Sequence, residues 1–480
     1  MVKGSVDMAK EYDLVVLGGG IGGYVAAVRA SQLGMKVAIV EHDKLGGTCL
    51  HRGCIPTKAM LRTAELYRQM KQAAKFGIEL TDVKINFHEA TKRKNTIVRK
   101  LHRGIEAILK RAKIDVFHGF GRMLGASIFS PLSGTISVEY QDEKENTMLI
   151  PKNVMIATGS KPKSLPDLKA DGTYILNSDD ILQMEQLPKS IIIIGGGVIG
   201  IEWASMLQDL GVQVTVVEAK DILLDQDEDI RKELKKELTR RGIKFYTNAT
   251  IQSETVILDE NEMSLEIVKD GELLNVSAEK VLLAVGREPN IAELGITNTT
   301  IEVENGAIVV NDMYQTKESH IYAIGDCIGG LQLAHVASKE GIIAVEHMAG
   351  LNPEPLNVHA IPSCIYSYPE VAKVGLTERE ATEQGFEIKV GKFPFQANGK
   401  AHVYGETNGF VKIVADASTE DILGVHMIGP TVTELISEAN LAKMLDASVW
   451  EISQTIHPHP TVSESFFEAA LAVDGKQIHS

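Results

Sequence analysis

The sequence predicts an α/β chain with two repeated βαβ units followed by a mixed α+β region. Three observations carry this: a gapless internal repeat, the same glycine pattern in both copies, and a change of pattern from about residue 351. VVLGGGIGGYVAA at 15–27 aligns without gaps to IIIGGGVIGIEWA at 192–204, an offset of 177 residues. The same offset relates QLGMKVAIVE (32–41) to DLGVQVTVVE (209–218). Each copy runs from an apolar strand-like segment through G-x-G-x-x-G to a helical stretch, a second apolar run and a closing glutamate.

The glycines are Gly18, Gly20 and Gly23 in the first copy and Gly195, Gly197 and Gly200 in the second. They permit a tight turn and close approach of backbone to a pyrophosphate, and the helix they open presents unpaired N–H groups to the anion. Glu41 and Glu218 are placed to accept from ribose hydroxyls, and a carboxylate there repels a 2′-phosphate. NAD is therefore favoured over NADP at one of the two sites. Two complete units in register define two Rossmann-like domains.

Residues 46–58 read GGTCLHRGCIPTK, and Cys49 and Cys54 are half of the chain's four cysteines. Such a pair suggests a dithiol that cycles with a disulfide, because intracellular thiols stay reduced unless their bond is catalytic. Residues five apart on a regular helix lie roughly 8 Å apart, beyond disulfide reach. A bridge therefore needs a bent backbone, for which Gly53 and Pro56 are suited. The plain alternatives are two buried thiols or half of a metal site, the latter without a second cysteine pair to complete it.

The stretch IHPHPTVSESFFEAALAV (456–473) supplies the second chemical element. His459 precedes Pro460, so it should be extended, in a loop ahead of a helix. A thiol with its ordinary pKa near 8.5 needs a base at neutral pH, and a histidine is suited to that. Thr461 with Glu464 also reads as a capping box. His457 and His459 lack a third metal ligand, and His457 reads as structural.

With 480 residues the chain is long enough for several domains. A net charge of −15 disfavours nucleic acid and anionic membranes as partners. No apolar run reaches the roughly 20 residues a membrane span needs, and MVKGSVDMAKEYD lacks a signal-peptide core, so a cytoplasmic location is expected.

Together the repeat, GGTCLHRGCIPTK, IATGS, IYAIGDC and HPHPTVSE resemble the pyridine-nucleotide disulfide oxidoreductases over essentially the whole chain. The resemblance implies FAD on the first unit, with Gly18, Gly20, Gly23, Glu41, Lys58, Gly121, Thr158, Gly159 and Asp326, and with Gln332, Leu333, Ala334 and His335 at a helix start. It implies NAD on the second, with Gly195, Gly197, Gly200, Glu218 and Gly286. Glu202 is expected to pair with Lys58. The plain readings make Lys58 and Glu202 unrelated surface ions and Asp326 a helix N-cap.

Catalysis is expected from Cys49, which would meet substrate, Cys54, which would face the flavin, His459 as base and Glu464 as its orienter. No metal is expected. The implied organisation is an FAD domain begun by 1–150, an NAD domain at 151–280, a central region at 281–350 returning to the FAD side, and a dimerisation domain at 351–480. A helical hairpin is expected from AELYRQMKQAAKF and EATKRKNTIVRKLHRGIEAILKRAK.

The implied activity is oxidation of dihydrolipoyl groups with reduction of NAD⁺, by a homodimer whose histidine loop crosses between subunits. Its partners would be the lipoyl domain and core acyltransferase of a 2-oxo acid dehydrogenase complex. GGTCLHRGCIPTK and HPHPT are most similar to members serving branched-chain 2-oxo acids. NADPH-using relatives carry basic residues where Glu218 stands, and mercury-reducing relatives a C-terminal cysteine pair that DGKQIHS lacks. Cys327 and Cys364 are expected to be single buried thiols, and Arg52 to favour the thiolate form of the nearby pair.

Overall fold

The computed structural model describes residues 10–126, 133–142, 145–259 and 262–480. They form two compact units. The first comprises the described residues up to Ala59 with His88–Lys163 and Arg287–Leu356; the second comprises Met60–Phe87, Ser164–Gly286 and Asn357–Ser480.

The first unit is built on a seven-stranded sheet. Its apolar run forms strand Lys10–Leu17, helix Ile21–Gln32 follows, and Val37–Glu41 returns parallel to the first strand. A strand buried on both faces needs apolar residues at every position, and Val37–Glu41 is buried throughout. Thr147–Ile156 lies parallel on the other side of Lys10–Leu17. The sheet is completed by Asp115–His118, by Ile321–Ala323, and by the antiparallel strands Phe120–Leu124 and Thr135–Glu139.

The second unit contains a five-stranded parallel sheet ordered Lys244–Thr247, Gln213–Glu218, Ser190–Ile194, Lys280–Leu283, Ile175–Leu176. The sequence repeat is kept as strand register: Val15 faces Ala38 in the first unit, and Ile192 faces Thr215 in the second. An antiparallel meander, Ala249–Asp259, Glu262–Lys269 and Glu272–Ala278, is appended to this part.

The same unit holds a five-stranded antiparallel sheet in which Phe410–Asp416 and Ile422–Gly429 are central. Its core joins Val411, Ile413, Val425 and Met427 to Ile436 and Ala439 of helix Val432–Met444 and Phe466 and Ala469 of helix Glu464–Ala472. Both segments expected to form a helical hairpin are helical, as Cys54–Lys71 and Phe87–Arg111. The first begins well before the AELYR segment, at Cys54 itself.

Candidate functional site

The two glycine fingerprints are alike atom by atom. Gly18 and Gly195 have φ of +102° and +114°. A Cβ on either would lie 2.4 Å from the Ala157 carbonyl oxygen or 2.3 Å from that of Ala284. Gly23 and Gly200 sit against the carbonyls of Gly18 and Gly195, where a Cβ would come within 1.9 and 2.1 Å. The middle glycines differ in kind. Gly20 and Gly197 cap their helices in extended conformation, and a Cβ on Gly197 would meet nothing within 4 Å. The outer glycines are thus required by the chain's own packing, whereas the middle ones keep space clear in front of a helix N-terminus. That space fits the pyrophosphate of a dinucleotide.

Each closing glutamate serves its own loop. Glu41 accepts from Gly19 N at 2.7 Å and Asp43 N at 2.8 Å, and Glu218 from Gly196 N at 2.7 Å and Lys220 N at 2.9 Å. Every carboxylate oxygen has capacity for a further donor, so a ribose hydroxyl remains compatible with both.

The repeat has a third element, whose residues Thr158, Gly159 and Gly286 the resemblance named but whose equivalence the sequence did not show. Ala157 N donates to Leu17 O and Ala284 N to Ile194 O, both at 2.8 Å, and the segments ATG (157–159) and AVG (284–286) follow equivalent strands. They escape a search at the common offset because they lie 127 residues apart instead of 177. Gly159 and Gly286 both have positive φ, and both face open space. Beside Gly159 the Thr158 hydroxyl is buried without a hydrogen-bond partner, an orphan that a bound FAD could satisfy.

Cys49 and Cys54 are bridged, with Cα atoms 4.7 Å apart. The bend inferred from their spacing is present: helix Gly47–His51 ends, Arg52 and Gly53 break the path, and Cys54 opens helix Cys54–Lys71. Both cysteines are partly exposed. Cys54 stands in the first turn of an 18-residue helix, where unpaired N–H groups favour a thiolate.

Gly46 and Gly47, with φ of +104° and +59°, place this loop. Gly46 N donates to Gly19 O at 2.8 Å, and a Cβ on Gly47 would lie 2.7 Å from Gly20 Cα. The disulfide loop is therefore laid directly against the first fingerprint. The GG before T-C was the available signal.

Arg52 does not act on the cysteines as an uncompensated charge, since its guanidinium donates to the Asp43 carboxylate. His51 and His102 both bond to the Leu45 carbonyl, at 2.9 and 3.0 Å, and burial lowers the pKa of His51.

Among the remaining first-unit residues, Asp326 lies in the short 3-10 turn Gly325–Ile328, whose N-cap is Ile324, so the simple N-cap reading fails. Its carboxylate accepts from Ser160 Oγ, which in turn accepts from Arg287 Nε at 2.8 Å. Glu340 accepts from Gly325 N at 2.6 Å, and burial pushes its carboxyl up to about 7. It was not foreseen, because a glutamate within EGIIAV reads as an ordinary helix residue. Gln332 and Leu333 precede helix Ala334–Met348, and Ala334 and His335 open it. The Cα of Gly121 faces Leu17 and Val40 side chains, so only its backbone is available to a cofactor. Lys58 lies on helix Cys54–Lys71. Glu202 belongs to the second unit, where it is buried and accepts from Tyr366 N at 3.0 Å, so it is not a surface ion.

His459 is exposed, in the loop ahead of helix Glu464–Ala472. Its Nδ1 bonds to Glu464 Oε1 at 2.8 Å, while Glu464 Oε2 accepts from Thr461 N at 2.8 Å. The carboxylate is thus both orienter and partial cap, one oxygen for each. A full capping box is absent, because the Thr461 hydroxyl donates to Pro458 O and the helix N-cap is Ser463. Although partial burial opposes it, the bonds from Thr461 and His459 hold the Glu464 carboxyl below its usual range. An ionised Glu464 requires the proton on Nδ1, which leaves the Nε2 lone pair as the basic atom. His457 bonds to Glu438 at 2.8 Å, in keeping with a structural role.

Cys327 is fully buried, its thiol pushed up to about 12 by burial, and takes no part in exchange at neutral pH. Cys364 is only partly buried, against the expectation, because it packs at the margin of the C-terminal core. No cluster of metal-ligating side chains occurs among the described residues. Among those residues no helix is long and apolar enough to cross a membrane.

Two dinucleotide cradles, with a disulfide laid against the first, define a flavin- and nicotinamide-linked disulfide reductase. The family model of pyridine nucleotide-disulphide oxidoreductases matches residues 12–341, and that of their dimerisation domain matches residues 361–470. The chain belongs to the pyridine nucleotide-disulphide oxidoreductase family. It is 62% identical to the dihydrolipoyl dehydrogenase of Bacillus subtilis over 98% of this chain and 100% of that one. It is 40% identical to that of Zymomonas mobilis (98% and 100% covered) and 39% to a mitochondrial form from Pisum sativum (98% and 93%). Among solved structures, LpdA from Mycobacterium tuberculosis superimposes with a TM-score of 0.88 at 28% identity, covering 96% and 99% of the chains. The HOCl-induced flavoprotein disulfide reductase RclA from Escherichia coli does so at 0.84 and 27%, with the same coverage.

Proposed function

We infer that this chain oxidises dihydrolipoamide to lipoamide and reduces NAD⁺ to NADH, through FAD and the Cys49–Cys54 disulfide, as a homodimer within a 2-oxo acid dehydrogenase complex. The single observation that carries the reading is the Cys49–Cys54 bridge against the first dinucleotide fingerprint, in a chain 62% identical to a dihydrolipoyl dehydrogenase along its whole length.

The cofactor assignment follows the two cradles. FAD would be held by Gly18, Gly20, Gly23, Glu41, Lys58, Gly121, Thr158, Gly159, Asp326 and the helix start at Gln332–His335. NAD would be held by Gly195, Gly197, Gly200, Glu202, Glu218 and Gly286. When bound, FAD supplies an acceptor for the dithiol's two electrons that can return them to NAD⁺ as hydride.

His459 Nε2 takes the proton of a dihydrolipoyl thiol. The thiolate attacks Cys49 Sγ, the Cys49–Cys54 bond breaks, and Cys54 leaves as a thiolate at its helix N-terminus. The second lipoyl sulfur then attacks the lipoyl sulfur of the mixed disulfide, which closes oxidised lipoamide and releases Cys49, and the proton of the second lipoyl thiol passes to the departing Cys49 sulfur. Two electrons have entered the cysteine pair. In this arrangement His459 and Glu464 come from the partner subunit, which is why residues 351–480 would act as the dimerisation domain. FAD-side residues would run through 1–150 and 281–350, and the NAD domain through 151–280.

The lipoyl group would arrive on a lipoyl domain, and the subunit would dock on the core acyltransferase in the cytoplasm; the motif forms favour a branched-chain 2-oxo acid complex. The deciding experiment is anaerobic titration of the purified protein with dihydrolipoamide and then NAD⁺. A visible flavin spectrum that changes with the dithiol, followed by NADH in proportion, supports the reading; a colourless protein, or one inert to dihydrolipoamide, rejects it. Affinity chromatography on a core acyltransferase tests the docking separately.

A further inference from the structure

We propose that the second unit carries an anion site, separate from its dinucleotide site, that binds phosphoryl groups. The site is a cavity of about 510 Å³, within the range of small-molecule pockets. Arg68, Lys71, Lys75, Arg240 and Arg241 line it, with Asp209 as the only lining carboxylate among the described residues and Glu406 and Glu65 behind it. In a chain with a net charge of −15 this is a local reversal of sign.

The cations divide into scaffold and surface. Arg241 is tied down: it bonds to Asp209 Oδ1 at 2.6 Å, Tyr368 O at 2.5 Å and Ser205 O at 3.0 Å, and so neutralises carbonyls near the end of helix Val198–Asp209. The Arg68 guanidinium lies over the Tyr368 ring, 3.1 Å from its centroid. It sits 3.5 Å from Asp209 and 3.6 Å from Glu406, yet its buried Nε has no hydrogen-bond acceptor in a side chain only 9% exposed. Burial holds the carboxyls of Asp209 and Glu406 above their usual range, against the opposing pull of the neighbouring guanidiniums. Arg240 is paired with Glu237 at 2.6 Å. Among the described residues, Lys71 and Lys75 touch only neutral groups, the Tyr67 ring at 4.3 Å and Gln72 Oε1 at 3.2 Å. Their charge is not offset.

Arg68 and Lys71 lie three residues apart on helix Cys54–Lys71, and Lys75 follows in the 3-10 turn Ala73–Phe76; all three line the cavity. A surplus of ammonium and guanidinium donors around a cavity of this size suits the clustered oxygens of a phosphate or diphosphate.

The test is calorimetric titration of the FAD-loaded enzyme, with NAD⁺ saturating so that the nucleotide sites are filled. The probes are inorganic phosphate, pyrophosphate and AMP, with succinate as a dicarboxylate control. Saturable pyrophosphate binding at one per chain is expected, weakened at least tenfold in Lys71→Gln/Lys75→Gln and again by added salt. AMP binding would identify a nucleotide-borne phosphoryl group, and phosphate or pyrophosphate binding without AMP a free one. Arg240→Gln provides a second variant should the first fold poorly; both should retain dihydrolipoamide oxidation. Absence of saturable binding by any phosphoryl probe, binding unchanged in a folded variant, or equal binding of succinate would overturn the proposal.

Discussion

At Cys49, the prediction is loss of turnover without loss of fold. Cys49→Ser removes the sulfur that dihydrolipoamide would attack in the proposed mechanism, so NADH production should fall to background while the flavin spectrum and melting temperature stay close to the parent's. For Glu464→Gln the His459 ring remains hydrogen-bonded, but a neutral amide no longer stabilises the imidazolium or requires the proton on Nδ1. A loss of roughly 10²-fold or more in kcat/KM is expected, with a small change in Tm.

Glu340 gives a pH signature. Its folded pKa of about 7 lies above its ordinary 4.5. Between those values the folded state holds more protons, so stability falls as pH rises through this window and levels off above about 7. The effect is at most about 3 kcal/mol. Glu340→Gln keeps an acceptor for Gly325 N and should flatten the slope, as read from melting curves between pH 5 and 8.

At the scale of the element, the glycine loops separate folding from binding. Gly195→Ala places a Cβ 2.3 Å from a backbone oxygen at φ +114°, and should destabilise by more than the roughly 1–2 kcal/mol of a left-handed residue alone. Gly197→Ala adds a methyl to empty space at φ −76°. Its Tm should be unchanged while the KM for NAD⁺ rises about tenfold or more, equivalent to about 1.4 kcal/mol. Equal loss of stability in the two variants would contradict the distinction. This is also where sequence reading was strongest. A period of 177 residues, with glycines and glutamates in phase, predicted both βαβ units because strand register follows chain spacing. The period did not reveal Ala157–Gly159 and Ala284–Gly286 as equivalents, since insertions between strands destroyed it, and Thr158, Gly159 and Gly286 were expected from the family resemblance alone; Glu340 escaped both, because its role depends on a turn distant in sequence.

For the whole molecule, the match to the family's dimerisation domain makes the homodimer the unit in which the proposed site has to be tested. If His459 serves the partner's disulfide, a mixture of Cys49→Ser and His459→Gln subunits should regain activity that neither homodimer has. Random pairing gives one intact site in the mixed dimer, so about a quarter of parental activity is expected. No recovery after subunit exchange would place histidine and cysteines on the same chain. The helical break at Arg52–Gly53 could be read from cysteine spacing, whereas the laying of Gly46–Gly47 on the fingerprint needed the tertiary fold.

The twin carboxylates constrain how such an enzyme could change its electron acceptor. Glu218 closes a turn through the amides of Gly196 and Lys220 at the position that would discriminate against a phosphorylated ribose. A basic residue installed there to welcome that phosphate would strip both amides of their acceptor. If Glu218 sets nucleotide preference, that preference and loop integrity are inherited together in this chain, and any lineage or engineer shifting the preference must rebuild a turn before gaining a ligand.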